Sequence, residues 1–311
     1  MKKVTLKKAQ LEVTQIGLGT NAVGGHNLFN NLDEEQGKEM VREALNIGIT
    51  FVDTADVYGF GRSEELVGQV IKGKRSELQL ATKGAVEKLA DNTTRINNRP
   101  EYLRKAVENS LKRLETDYID LYYLHYPDNE TPLVEAIGEL SKLKKEGKIG
   151  AIGVSNVNLE QLTEANEHEE VDVIQSPYNM LDRSAEKDLL PYTRAHNISF
   201  VPYGPLAFGI LGGKYTPSLN LQEGDWRKDE ALFQPETFKD VLHKVEQLKE
   251  MAHAKNAGLS HLALAWLLAQ DGIDTVIPGG KRADQVKDNA IADTLTLSVQ
   301  DLARIEKILN Q

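Results

Sequence analysis

The chain contains no cysteine. That one absence removes disulfides, thiolate metal sites and cysteine nucleophiles, and it fits a reducing compartment. Positive charge is also scarce: 37 Lys and Arg stand against 47 Asp and Glu, for a formal net charge of -10. Nucleic acid needs a basic surface, so it is excluded as the main partner, which leaves room only for a local basic pocket. There is no long apolar run. The longest, Leu262 to Ala269, is far too short to cross a bilayer, so no membrane partner is expected. The Met-Lys-Lys start leads into an alternating, strand-like stretch and not an apolar signal core, which makes a cytoplasmic location the expectation. The seven histidines form no HExxH or similar cluster, so no metal site is expected. A dinucleotide fingerprint is missing too. Gly17 to Gly25 (GLGTNAVGG) resembles one superficially, but its glycines are misspaced and no acidic residue ends a following strand about 20 residues on.

What is present is a globular composition, 40% hydrophobic and 27% charged over 311 residues, enough to bury a large core in a single domain spanning 1–311. After a stretch that reads as a hairpin, Val4 to Val13, strand-like and helix-like segments alternate. The strand candidates are IGLGT, TFVDT, LQLAT, DLYYLH, IGAIGVS, VDVIQS, SFVPYG and DTVIPG, short apolar runs of the kind buried on both faces of a parallel sheet. Helices fill the gaps. Asp33 and Gln36 form a capping-box pair ahead of Met40, Val41, Ala44 and Leu45, and Gly48 ends that helix. Pro100 opens another with Leu103, Val107, Leu111 and Leu114 on one face, Thr131-Pro132 starts a third, and Asn158 with Gln161 caps a fourth. Eight strand-helix units predict an α/β fold: a (β/α)8 TIM barrel of eight parallel strands with an N-terminal β-hairpin. One gap breaks the rhythm. About 75 residues separate the seventh strand from the eighth, a long loop of the kind that is usually functional at the C-terminal face of a barrel.

Three polar residues sit where an apolar run stops: Asp53 after FVDTA begins, Lys83 after LQLAT, and His125 after DLYYL; Tyr58 follows in the loop after Asp53. The carboxyl ends of barrel strands are where chemistry happens. Singly, each residue reads as a strand-end carboxylate, a solvated ammonium, a core imidazole or a turn phenol. Together, an acid, a phenol, an ammonium and an imidazole can deliver a proton to a carbonyl oxygen. Tyr58, with an ordinary pKa of about 10, stays protonated at neutral pH and can donate. Lys83 is expected to lower that pKa, Asp53 to hold Lys83 charged, and His125 to orient the carbonyl by a hydrogen bond. No side chain supplies hydride, so a cofactor must.

The motifs GLGTNAVGGHNL, FVDTADVYGFGRSEELVG, ATKGA, SLKRLETDYIDLYYLHYPD, IGAIGVSNV, VIQSPYN, GILGGKY and VIPGGKRADQVKDN cover nearly the whole length, and with them the chain resembles the aldo-keto reductase family. The resemblance implies a (β/α)8 barrel that binds NADP(H) without a Rossmann domain, and a catalytic tetrad of Asp53, Tyr58, Lys83 and His125. It implies that Ser155, Asn156 and Gln175 hold the nicotinamide carboxamide, with Asp53 beside them, and that Tyr203 stacks under the ring. Gly19, Thr20 and Asn21 fall on the nicotinamide ribose side. Gly204, Pro205, Leu206, Leu211 and Lys214 fall in the segment that closes over the pyrophosphate. Pro278, Gly279, Lys281, Arg282, Gln285 and Asn289 fall at the adenosine end. Lys281 and Arg282 also open a helix, where backbone N–H groups and two cations favour a phosphate, and this points to NADPH over NADH.

Departures from the family pattern concern the substrate pocket. Tyr126 follows His125 where many relatives carry Trp or Gln, and the loop NAVGGHNL lacks the usual Trp; His26 in it reads as incidental. The expected function is NADPH-dependent reduction of aldehydes or ketones to alcohols, by a monomer acting on a small-molecule carbonyl substrate. The alternative is an NADP(H)-binding sensor or regulatory subunit with little turnover. A Schiff-base aldolase built on Lys83 would need a neutral lysine, and Asp53 points the other way.

Overall fold

The apolar runs assemble into one curled parallel sheet in the computed structural model, which describes residues 1–311. Ahead of it, β1 (Lys3–Leu6) pairs antiparallel with β2 (Leu11–Thr14), as the alternating start of the chain predicts. Then follow β3 (Leu18–Gly19), β4 (Phe51–Asp53), β5 (Gln79–Gly84), the short strands β6 (Val86–Lys88) and β7 (Thr94–Ile96), β8 (Ile119–Leu124), β9 (Ile149–Ser155), β10 (Val173–Pro177) and β11 (Ser199–Tyr203). The sheet runs β11-β10-β9-β8-β5-β4-β3, every neighbour parallel. Its crossovers carry α1 (Glu34–Asn46), α2 (Arg62–Ile71), α3 (Pro100–Arg113), α4 (Leu133–Lys145), α5 (Leu159–Ala165) and α6 (Leu189–Ala195). After β11 come α7 (Pro235–Ala254), α8 (Leu259–Leu268), α9 (Ala283–Ala290) and α10 (Val299–Leu309). No helix is long and apolar enough to cross a membrane.

Local chemistry sets the boundaries. Asp33 caps α1 by accepting from the N–H groups of Glu35 and Gln36, and Pro100 supplies the first residue of α3, where a missing N–H costs nothing. Asn158 and Gln161 complete a reciprocal box at the start of α5.

The eighth run departs from expectation. Asp274–Gly279 forms no regular strand, and the sheet has seven strands where eight were expected. The segment makes single parallel bridges instead, Ile273 to Phe200 of β11 and Val276 to Ile16 ahead of β3. Gly17 N donates to Val276 O at 2.8 Å and Gly19 N to Pro278 O at 3.1 Å. Pro278 accepts but has no N–H to donate, so the next pair of bridging hydrogen bonds cannot be completed. The β6–β7 hairpin was not foreseen either, because three-residue polar strands leave no periodicity to read.

Side-chain alternation divides the core in two. One set of strand positions, Phe51, Ala81, Leu121, Tyr123, Ala151, Val173 and Val201, packs inside the curl with Leu6 and Val13 of the hairpin and Ile277. The alternate set, including Val52, Leu80, Tyr122, Ile152, Ile174 and Phe200, packs outward against the helices in a cluster of 60 residues. A tyrosine fits inside at position 123 because its ring lies against Gly153, where any Cβ would collide with it.

One polar tie crosses the helical layer. Glu64 of α2 is fully buried, accepting from Thr82 Oγ1 at 2.7 Å and from Arg113 Nε at 2.6 Å. It fastens α2 and α3 to β5 one residue before Lys83. Glu64→Ala leaves Arg113 without its carboxylate and is expected to cost about 3 kcal/mol, the low end for breaking a buried pair because Arg113 keeps partial solvent access. Urea unfolding checks this; a loss under about 1 kcal/mol would show that the tie contributes little.

Candidate active site

The alternation that places Phe51, Ala81 and Tyr123 inside the curl puts Asp53, Lys83 and His125 on the same inner surface two residues further along, at the carboxyl edge of the sheet. Ser155, Gln175 and Tyr203 obey the same parity with Ala151, Val173 and Val201. The register holds them level: Lys83 lies opposite Tyr123, and Gln175 opposite Ser155. Tyr58 enters from the turn after β4.

Lys83 is fully buried and Asp53 is 2% exposed, and the two form a direct ion pair. Lys83 Nζ also donates to Thr54 O at 2.9 Å, and Gln175 Nε2 donates to Asp53 Oδ2 at 3.0 Å. The ammonium lies 5.3 Å from the centre of the Tyr58 ring, and the Tyr58 and His125 rings meet edge to face at 6.2 Å. All four residues of the expected tetrad therefore come together.

Their ionisation follows from burial and from one another. Burial opposes charge on Lys83, yet Asp53 and Tyr58 outweigh it and push the ammonium above its usual range. Burial raises the Tyr58 phenol; Lys83 pulls it down but does not prevail. The expected lowering of Tyr58 is thus reversed, because loss of solvent around a phenolate costs more than one nearby cation returns. Burial, reinforced by Lys83, drives His125 well below the ordinary histidine range, so it stays neutral at pH 7. Its Nδ1 has no protein partner. A neutral imidazole keeps one N–H to donate.

A second layer fixes His125. Tyr126 stacks on its ring at 4.4 Å, and Asn156 Nδ2 donates to its carbonyl at 3.0 Å. Tyr203 OH in turn donates to Asn156 Oδ1 at 2.9 Å, while Asn156 Nδ2 reaches Ser155 Oγ at 3.1 Å. Asn156 holds a left-handed backbone (φ 57°), as do Ala207 and Phe208 in the segment after β11. Such non-glycine positions gather at functional loops.

The remaining expected cofactor residues divide into open and committed ones. Gly19 ends β3, with Asn21 and Gly279 facing each other across the rim: a Cβ on Gly279 would stand 3.2 Å from Asn21 Oδ1. Thr20 is turned inward, donating to Asp53 O at 2.9 Å. Pro205, Leu211 and Pro278 are buried, Leu211 within the main core, whereas Gly204 and Leu206 are half-buried and Lys214 is exposed. Gln285 accepts from Lys281 N at 2.8 Å, and Asn289 donates to Gly279 O at 3.3 Å, so both shape the loop from Gly279 to Arg282. Lys281 rests over Phe29 at 4.8 Å, and Arg282 is exposed and paired with Asp284. His26 lies on the surface beside Glu34. Sequence reasoning missed Tyr123, whose ring lies 5.8 Å from Lys83 Nζ, and Asn98, which donates to Tyr126 O at 2.9 Å. Strict parity along DLYYLH would have found the first, since Tyr123 and His125 must share a face; nothing in one sequence marks the second.

Because the folded pKa of Lys83 lies above its unfolded value, the ion pair contributes fully below about pH 10 and its contribution is lost as pH rises through the folded value. Asp53→Asn leaves the ammonium buried and unpaired, with an expected loss of about 3–5 kcal/mol at neutral pH. Burial then pushes Lys83 down instead of up, so the deficit should shrink as pH rises. Urea unfolding of both proteins across pH is the measurement, and a deficit that does not vary with pH would refute the coupling.

Comparison with known proteins gives the same picture. Residues 15–310 match the model of the aldo/keto reductase family. The chain is 39% identical over 312 residues to aldo-keto reductase YhdN of Bacillus subtilis, covering 99% of this chain and 94% of that one. It is 35% identical to the NADH-specific methylglyoxal reductase of Escherichia coli, over 97% of this chain and 96% of that one. Among solved structures it is similar to the glycerol dehydrogenase AKR11B4 of Gluconobacter oxydans, with a TM-score of 0.91, 32% identity, and coverage of 99% and 94%. With this sheet, this buried ion pair and these matches, the chain belongs to the aldo/keto reductase family, enzymes of nicotinamide-dependent carbonyl reduction.

Proposed function

We propose that the protein reduces aldehydes or ketones to alcohols with a preference for NADPH, and that Tyr58 is the proton donor. The observation that carries this reading is the buried Lys83–Asp53 pair facing Tyr58 and His125 at one edge of the sheet. A nicotinamide held beside Ser155, Asn156, Gln175 and Tyr203 would supply the hydride. Tyr58, kept protonated by burial, gives its proton to the oxygen that becomes an alkoxide. Lys83 stabilises the phenolate left behind, and Asp53 keeps Lys83 charged and in place. Neutral His125 donates a hydrogen bond to the same oxygen, a fixed dipole in a site with little water. The same reading takes the bridged segment Ile273–Pro278 as the last member of a closed (β/α)8 barrel.

The rim suits a dinucleotide. Gly204, Gly279 and Gly280 leave room for close approach, and Ser155, Asn156, Gln175 and Tyr203 form one polar face beside Asp53. Arg282 makes no side-chain cap at the start of α9, which leaves the positive end of the helix facing the loop from Gly279 to Arg282. Lys281 makes no ion pair there, and the Arg282–Asp284 pair is a surface contact that parts at little cost. The Escherichia coli relative is NADH-specific, so the family alone does not set a preference, and the NADPH reading rests on Lys281 and Arg282 at that loop.

Oxidation of NADPH and NADH should be followed over a panel of aldehydes and ketones. Tyr58→Phe is expected to lower kcat by about 10² to 10⁴ with little change in cofactor affinity. Near wild-type turnover in that variant would sink the assignment, and cofactor binding without turnover in the wild type would favour a sensor.

NADPH is expected to bind at least about tenfold more tightly than NADH, and replacing Lys281 and Arg282 by Ala should erase most of that difference while leaving NADH affinity nearly constant. Fluorescence titration decides it. Equal affinities in the wild type would show that no phosphate is read at this loop.

A further inference from the structure

Phe60 stands two residues after Tyr58 with a left-handed backbone (φ 52°, ψ 50°), a conformation that is strained for a bulky residue. The residue is 41% exposed. The turn is held in this state from behind: Gly59 N donates to Asn27 Oδ1 at 2.7 Å, and a Cβ on Gly59 would collide with Gly24 O. An exposed aromatic held against its own backbone preference beside a proton donor calls for a function.

Lys88 supplies the second observation. It ends β6, the strand that follows the one carrying Lys83, and its Nζ lies 4.7 Å from the centre of the Phe60 ring. Its neighbours are neutralised without it, since Glu87 accepts from Arg95 Nε at 2.7 Å and from Asn97 Nδ2 at 2.8 Å. In a chain with 47 acidic residues this ammonium makes no ion pair. A ring below it satisfies the cation only in part and leaves its N–H donors free. The hairpin is rooted beside the imidazole: Asn98 donates to Tyr126 O, and Asn98 and Asp128 exchange backbone-to-side-chain hydrogen bonds at 2.8 and 2.7 Å. Phe60 thus follows Tyr58 in one turn, and the hairpin that carries Lys88 continues from the strand of Lys83 and is anchored at its root, through Asn98, to the loop of His125.

We propose that Phe60 and Lys88 form an anion-reading lip on the substrate pocket, so that the enzyme prefers carbonyl compounds bearing a carboxylate or another anionic group, most of all on an apolar or aromatic body. The proposal rests on the reductase reading given above. The ring packs against the body of the substrate, and the ammonium pairs with its charge.

The test compares para-carboxybenzaldehyde with its uncharged methyl ester, in wild type and in Lys88→Met and Lys88→Glu. The ester has the more electrophilic carbonyl, so chemistry alone works against the expected result. Lys88→Met should lower kcat/KM for the acid by roughly tenfold or more, mainly through KM, and leave the ester within about twofold. Lys88→Glu should lower the acid further, and rising ionic strength should weaken the wild type's use of the acid but not of the ester. Equal effects on acid and ester, or no effect on either, would overturn the lip while leaving the reductase standing. Reduction of the ester or of other panel members but not of the acid would overturn the lip alone, and no reduction of any panel member with either cofactor would overturn the reductase reading and this proposal with it.

Discussion

Everything at the carboxyl edge of the sheet depends on one ion pair that has lost its water. A lysine at 0% exposure is tolerable only if its charge is met inside the protein. Asp53 meets it directly, Thr54 O takes a second N–H, and Gln175 occupies the other oxygen of Asp53. These partners come from β4, the turn after it, and β10, so the pair stitches non-adjacent parts of the sheet into one polar floor. Tyr58 and Tyr123 then bring their rings to 5.3 and 5.8 Å from the ammonium and help to keep water out.

Alternation explains how so many functional side chains share that floor. A strand fixes its inner face by its apolar positions, and Phe51, Ala81, Val173 and Val201 leave Asp53, Lys83, Gln175 and Tyr203 no choice of side. For this reason the placement of Asp53, Lys83 and His125 was legible in the linear chain: a polar residue closing an apolar run must lie on a face that the run has already chosen, whereas Tyr58, in the turn after β4, was picked out by the motif resemblance. Glycine and proline hid the rest. Pro278 and the glycines after it reduce the eighth strand to two bridges, although the apolar run before them looks like its neighbours. The β6–β7 hairpin is polar and three residues deep on each side, so neither period nor hydrophobicity announces it. Long-range commitments were invisible for another reason. Thr20 bonding Asp53 O and Asn289 bonding Gly279 O depend on tertiary contacts that no local pattern encodes.

The direction of the Tyr58 shift belongs with those commitments. From sequence, a lysine near a tyrosine argues for an easier phenolate. The structure adds that the phenol shares the lysine's dry environment and that Asp53, the residue that makes the lysine possible, repels a phenolate. Counting charges gave one sign, and counting solvent gave the other.

Three opposed tendencies then settle into one working state. Burial and Asp53 keep Tyr58 protonated; Asp53 keeps Lys83 charged against burial; burial and Lys83 keep His125 neutral. Each group would titrate differently if the ion pair were absent. On the proposed chemistry, the phenol holds a proton to give, the imidazole holds an N–H to donate, and the ammonium meets the phenolate that proton donation creates. That is the resting ionisation needed to take a carbonyl to an alcohol near neutral pH. On the proposed chemistry, therefore, the burial that makes Lys83 hardest to accommodate also keeps the phenol protonated until a carbonyl oxygen is there to take the proton.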